Sequence, residues 1–362
     1  MIAPRNLFVP IVGLSIVGGF VVGVWMGLVR IGWPFGSPPP LALHAPLLVL
    51  GVLAALIGAE RAVAIGAAWA WIGPLASAVA IITMLAGAPR EIVGALLALG
   101  GLGLVTVFVV VYRTHPGTHV IVMGIGAEAL IIAAIVWATG VAVPLIVPLL
   151  AAFLVITITG ERLELARFGV GRGATAWFIA AVAALGVGST MSAAGWESGP
   201  RVAGIGLIGL ALWLGRFDVA RRTIRLPDPT RYIATALLAG YVWIAFAGII
   251  WVSRGLVFGQ PGYDASVHGI FLGFVMSMVF GHAMIVLPSL TGLSFPWNRM
   301  LWFPLGLLHL SLVLRVVGDL VSDFDVRRWG GVLNAIALVS FVLVALYTVA
   351  QAAAGRRAAV QR

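Results

Sequence analysis

The chain has no cysteine and no lysine, and only 9% of its 362 residues are charged. Without cysteine there can be no disulfide, thiolate metal site, iron–sulfur cluster or thiol nucleophile. A soluble domain carries about 25% charged and about 45–50% apolar residues. Here 62% are hydrophobic and the mean hydropathy is +1.12. Too few polar side chains remain to coat a water-soluble globule, which excludes a soluble enzyme, a disordered chain and a coiled coil. The net charge of +10 would suit nucleic acid. The basic residues, however, sit in short loops between apolar runs, where they act as topology signals. No nucleic-acid partner is expected; the lipid bilayer is.

What the chain has in abundance is long apolar runs. A bilayer-crossing helix needs about 20 mostly apolar residues. Twelve such runs are present, near 8–29, 41–59, 66–87, 93–112, 119–139, 142–160, 173–193, 200–215, 232–252, 267–288, 301–320 and 329–351. They are continuous rather than alternating, which favours helices over barrel strands. Trp33-Pro34-Phe35 follows the first run where a cleavage site would need small residues, so that run reads as a retained helix. The expectation is an all-α polytopic membrane protein, a single integral membrane domain over residues 1–362.

All 22 basic residues are arginine. With twelve spans, both termini and the even-numbered loops share one side. Fifteen arginines fall there, among them Arg61, Arg113, Arg162, Arg167, Arg216, Arg221, Arg222, Arg225, Arg231 and Arg299. Six fall on the other side: Arg30, Arg90, Arg201, Arg254, Arg327 and Arg328. The positive-inside rule then places both termini in the cytoplasm. The basic loop 216–231 reads as an anchor beside anionic headgroups.

Spans 2, 6 and 10 close on related words: Gly58-Ala59-Glu60-Arg61, Gly160-Glu161-Arg162 and Gly281-His282. These words are four helices apart, which suggests three four-helix units around a pseudo-threefold axis.

Ionisable groups within the hydrocarbon are costly, and each is a functional candidate. His44 opens span 2 and His268 opens span 10. Both spans run outside to inside, so both imidazoles lie near the outer face. Two neutral imidazoles across a gap can hold a haem iron, and imidazole also suits copper. The alternative is a pair of interfacial histidines bonded to water or headgroups. His282 follows His268 by 14 residues, which on an ideal helix is about 21 Å and about 40° of rotation. His309 and Glu128 fall near the depth of His282, so the three could form a metal or proton-relay cluster. Separate helix–helix hydrogen bonds are the reading their isolated positions favour. Arg315 and Asp319 are i,i+4 on span 11 and can pair; beside a haem, Arg315 would suit a propionate. Glu60-Arg61 and Glu161-Arg162 are expected to tie helix ends together. His115 and His119 flank a Pro-Gly turn and read as solvated.

Twelve spans with histidines on the outer ends of spans 2 and 10 resemble subunit I of the haem–copper oxidases. That resemblance implies that His44 and His268 are axial ligands of a low-spin haem. The copper-ligand histidines of spans 6 and 7 are missing, and Ser266 and Ile270 stand where a second span-10 histidine would be. Oxygen reduction at a binuclear centre is therefore not expected. The words His268-Gly269-Ile270, Gly273, Thr291-Gly292, His309-Leu310-Ser311-Leu312-Val313-Leu314-Arg315-Val316, Gly160-Glu161-Arg162-Leu163-Glu164 and Phe280-Gly281-His282-Ala283 are similar to the NnrS family. Those are twelve-span bacterial proteins linked to nitric-oxide stress. The family's His-Ala-His-Glu-Met word is reduced here to His44-Ala45-Pro46-Leu47-Leu48. The resemblance implies a prokaryotic cytoplasmic membrane, haem b, copper as a further metal, and electron transfer or nitric-oxide handling with a redox partner. Two readings stand beside it: a cofactor-free transporter or channel lined by Glu128, His282 and His309, and an assembly subunit that has lost its cofactors.

Overall fold

The structure, a computed structural model, describes residues 4–166 and 170–360. Arg167 and Arg362, counted above as topology signals, lie outside the described residues. Among the described residues twelve helices are long and apolar enough to cross a membrane. They are α1 (Leu7–Arg30), α2 (Pro46–Ile65), α3 (Ala68–Leu85), α4 (Arg90–Thr114), α5 (Thr118–Ala138) and α6 (Val143–Ala166), then α7 (Arg172–Ala193), α8 (Gly199–Phe217), α9 (Thr230–Arg254), α10 (Tyr263–Thr291), α11 (Arg299–Leu320) and α12 (Phe324–Ala354). Each expected run matches one helix. No strand occurs among the described residues, and the chain is an all-helical, multi-pass membrane protein.

In hydrocarbon the backbone must satisfy its own hydrogen bonds, so apolar runs of this length become helices. Apolar tails surround the bundle as readily as leucine does, so packing depends on close approach of small residues. The α7–α8 hairpin illustrates this. A Cβ at Gly188 would run into the backbone of Ala203, and one at Gly206 into that of Leu185.

The three helices that share a closing word meet inside the bundle. α2, α6 and α10 pack against one another pairwise. α6 is the innermost, with 78% of its most apolar stretch buried. By contrast α1 lies at the periphery and buries 22% of its own. Sequential neighbours surround the trio, and α1 also touches α12.

Two departures from regular α-helix share one location. α2 is wound as π-helix over Pro46–Leu53, and α10 over Gly269–Met276. The first begins two residues after His44 and the second immediately after His268. π-turns within α-helices recur at functional sites, because i→i+5 bonding widens the turn and re-aims its side chains. The winding also corrects an expectation. The 40° separation of His268 and His282 assumed an unbroken α-helix, and that arithmetic does not carry across the π stretch.

Candidate functional site

At one end of the bundle stand His44, two residues before α2, and His268 of α10. The ring of His44 lies against α1, with its Nδ1 2.8 Å from the carbonyl oxygen of Gly23. One turn on, Gly27 leaves room for the imidazole: a Cβ there would come within 2.9 Å of His44 Cε1. His268 Nδ1 lies 3.0 Å from the carbonyl oxygen of Asp264 and 3.2 Å from its carboxylate.

In both rings, then, Nδ1 faces an oxygen that can only accept. A neutral imidazole so placed carries its proton on Nδ1 and leaves the Nε2 lone pair available. A backbone carbonyl or carboxylate fixing the far nitrogen is the arrangement metal-binding histidines use. No described residue bonds to either Nε2. The two rings are also electrostatic neighbours, and Arg30 and Arg315 lie in the field of His44.

The His268 side is locked from α11. Arg315 donates from Nε and Nη2 to the two carboxylate oxygens of Asp264, at 2.7 and 2.8 Å. Asp319 accepts from the backbone amides of Gly262, at 2.8 Å, and Ala265, at 3.1 Å. It also accepts from Arg327 at 3.1 Å. Gly262, at φ +96°, occupies the left-handed region that favours glycine, just ahead of α10. The expected i,i+4 pair of Arg315 with Asp319 therefore does not form. Both side chains have better partners across the helix interface than along their own helix. Arg30, at the end of α1, has no carboxylate partner among the described residues; its guanidinium sits 5.5 Å above the ring of Phe258.

His282, His309 and Glu128 occupy three different settings. His282 Nδ1 lies 2.9 Å from the Met278 carbonyl oxygen, and its electrostatic neighbours are Arg162, Glu60 and Asp218. His309 accepts at Nδ1 from the indole of Trp243, 3.0 Å away, so its proton is on Nε2. That nitrogen points at Ser277 Oγ, 3.4 Å away, while Ser277 donates to the Gly273 carbonyl. Both nitrogens of His309 are thus spent on helix–helix contacts. Glu128 faces outward into a groove between α5, α6 and α7. Among the described residues no three His, Asp or Glu side chains converge as metal ligands, so the structure does not assemble these three into one cluster.

At the opposite end the closing words act as expected. Arg61 of α2 pairs with Glu161 of α6. The next residue, Arg162, forms a two-pronged pair with Asp218 beyond α8, at 2.7 and 2.8 Å. Both partners of the second pair are buried.

Sequence reasoning missed Asp264. It precedes the tenth apolar run and so escaped a search confined to spans, although its i,i+4 spacing to His268 was a usable signal. Trp243 gave no signal, since its relation to His309 depends on how α9 meets α11. No curated protein matches the chain. A family described as a domain of unknown function (DUF8744) matches residues 8–350, nearly the whole length, and the chain belongs to that family.

Proposed function

We propose that this chain is a haem-binding electron-transfer protein of a prokaryotic cytoplasmic membrane. In this reading a b-type haem is held between His44 and His268 near the outer face, and both termini are cytoplasmic. The observation that carries it is the matched pair of imidazoles. They stand at one end of two packed helices, each anchored through Nδ1 and each followed by a π-helical stretch. The resemblance to the NnrS family and to haem–copper oxidase subunit I supports the same assignment.

Bound there, haem supplies a one-electron redox couple. The protein's contribution is positional. Gly27 leaves space for the His44 ring, the Gly23 carbonyl sets its tautomer, and the Asp264–Arg315 pair does the same for His268. Arg315 gives its two-pronged edge to Asp264 and so serves the site through His268. Arg30, without a carboxylate partner, is the freer cation for a propionate. With both imidazoles given to the iron no position would remain open to a gas, which favours electron transfer with a redox partner over gas chemistry.

The test is a reduced-minus-oxidised visible spectrum of detergent-purified protein from haem-replete cells, with iron and copper counted in the same sample. Sharp α and β bands that vanish in His44→Ala and in His268→Ala are expected. A featureless spectrum from folded protein, or bands that survive both substitutions, overturns the reading.

A further inference from the structure

A groove of about 770 Å³ runs along the membrane-facing side of α5, α6 and α7. Its lining extends from Thr118, the first residue of α5, to Trp196, just beyond the end of α7. It therefore follows most of the height of the bundle. The walls are almost wholly aliphatic, with Ile121, Ile125, Ile132 and Val187 exposed along it. One ionisable group interrupts them, Glu128. It has no hydrogen-bond or ion-pair partner among the described residues.

Glu128 lies ten residues into the 21-residue helix α5. At a rise of about 1.5 Å per residue it is about 15 Å deep, half the thickness of a hydrocarbon core of about 30 Å. A carboxyl group there is costly unless something bonds to it. A phospholipid cannot do so, because its polar atoms stay at the headgroup layer and only acyl chain reaches half depth. A fatty alcohol or sterol likewise keeps its hydroxyl at the interface. The complementary ligand has a compact, mostly apolar head that bears hydrogen-bonding oxygen and dissolves at half depth, and a long apolar tail to fill the groove. We propose that this groove binds a lipid-soluble quinone, a ring carbonyl accepting from the Glu128 carboxyl group and its tail lying along the aliphatic walls of α5 and α7.

The proposal is independent of the histidine site and is read by a different signal. Full-length protein in phospholipid nanodiscs is titrated with decylubiquinone, and quenching of tryptophan fluorescence is followed. Two variants separate head from tail. Glu128→Leu removes the hydrogen-bonding group and suits a lipid-facing surface. Gly186→Leu fills the groove at a place where an added Cβ meets nothing within 4 Å, so it obstructs the ligand without disturbing the packing.

Saturable quenching is expected in the parent protein. It should weaken by roughly fivefold or more in Glu128→Leu, the scale of a lost hydrogen bond, and also in Gly186→Leu. Absence of saturable quenching overturns the proposal, as does equal binding in all three proteins. Loss in Gly186→Leu alone would mark an ordinary lipid-tail groove and overturn the headgroup assignment. A dimer that occludes the groove, detected by cross-linking through residue 186, would overturn it as well.

Discussion

A neutral imidazole offers one lone pair, and the bond its other nitrogen makes decides which atom carries it. By that rule the four histidines in or beside the spans divide. His44, His268 and His282 hand Nδ1–H to carbonyl oxygens and keep Nε2 available. His309 is consumed by Trp243 and Ser277. Replacing Trp243 with Phe should free His309 Nδ1 and loosen the α9–α11 contact, yet leave the reduced-minus-oxidised bands unchanged. Loss of those bands would mean that His309 serves the cofactor site. Gly27 is the sharper probe. Because its absent Cβ makes room for His44, Gly27→Val should abolish the haem spectrum as fully as His44→Ala. Peripheral α1 should meanwhile let the protein fold, as judged by size-exclusion elution and circular dichroism. Full retention of the bands in Gly27→Val would disconnect α1 from the site.

Helices in lipid gain little from apolar burial against one another, so buried ion pairs weigh heavily in how elements dock. Arg162 and Asp218 fasten α6 to the segment beyond α8, with both charges out of water. Arg162→Met would strand the Asp218 carboxylate and should cost roughly 3–5 kcal/mol. The double variant Arg162→Met/Asp218→Leu should recover most of that, because no unpaired charge remains. Equal thermal unfolding midpoints for single and double variants would show that the pair is not coupled.

Outside the spans, Asp228 links α9 to α11. Burial pushes its carboxyl up, but Arg231 and the Trp302 indole donate to it and hold it below the usual carboxylate range. A lowered folded-state pKa gives stability that is complete above the unfolded value and lost as pH falls through the folded one. Unfolding midpoints in acid should therefore fall more steeply for the parent protein than for Asp228→Asn. Matching slopes would remove this contact from the account of acid stability.

For the whole molecule, the arginine distribution predicts an orientation that can be tested directly, because a cysteine-free chain gives no labelling background. Ser37→Cys, in the exposed turn between α1 and α2, should react with a membrane-impermeant maleimide on intact cells. Leu226→Cys, in the arginine-rich loop before α9, should react only after permeabilisation. The reverse pattern would invert the bundle and move His44 and His268 to the cytoplasmic side.

Sequence by itself determined the number of spans, their helical state and the place of His44 and His268 at the starts of α2 and α10. Each of those follows from local apolarity and from a backbone that must bond to itself in hydrocarbon. It also marked α2, α6 and α10 as related, through short words whose arginine and glutamate do bridge two of the helices. Only the tertiary structure decided that α2, α6 and α10 touch, that Arg315 chooses Asp264 over Asp319, that His309 is already bonded, and that Glu128 looks out at lipid. Those outcomes turn on helix rotation and on partners 32 residues or more away. A hydropathy profile of a uniformly apolar helix does not encode rotation. The π-helical stretches were hidden for the same reason: Pro46–Leu53 and Gly269–Met276 read as ordinary apolar helix. A hydropathy profile does not encode whether a turn closes i→i+4 or i→i+5.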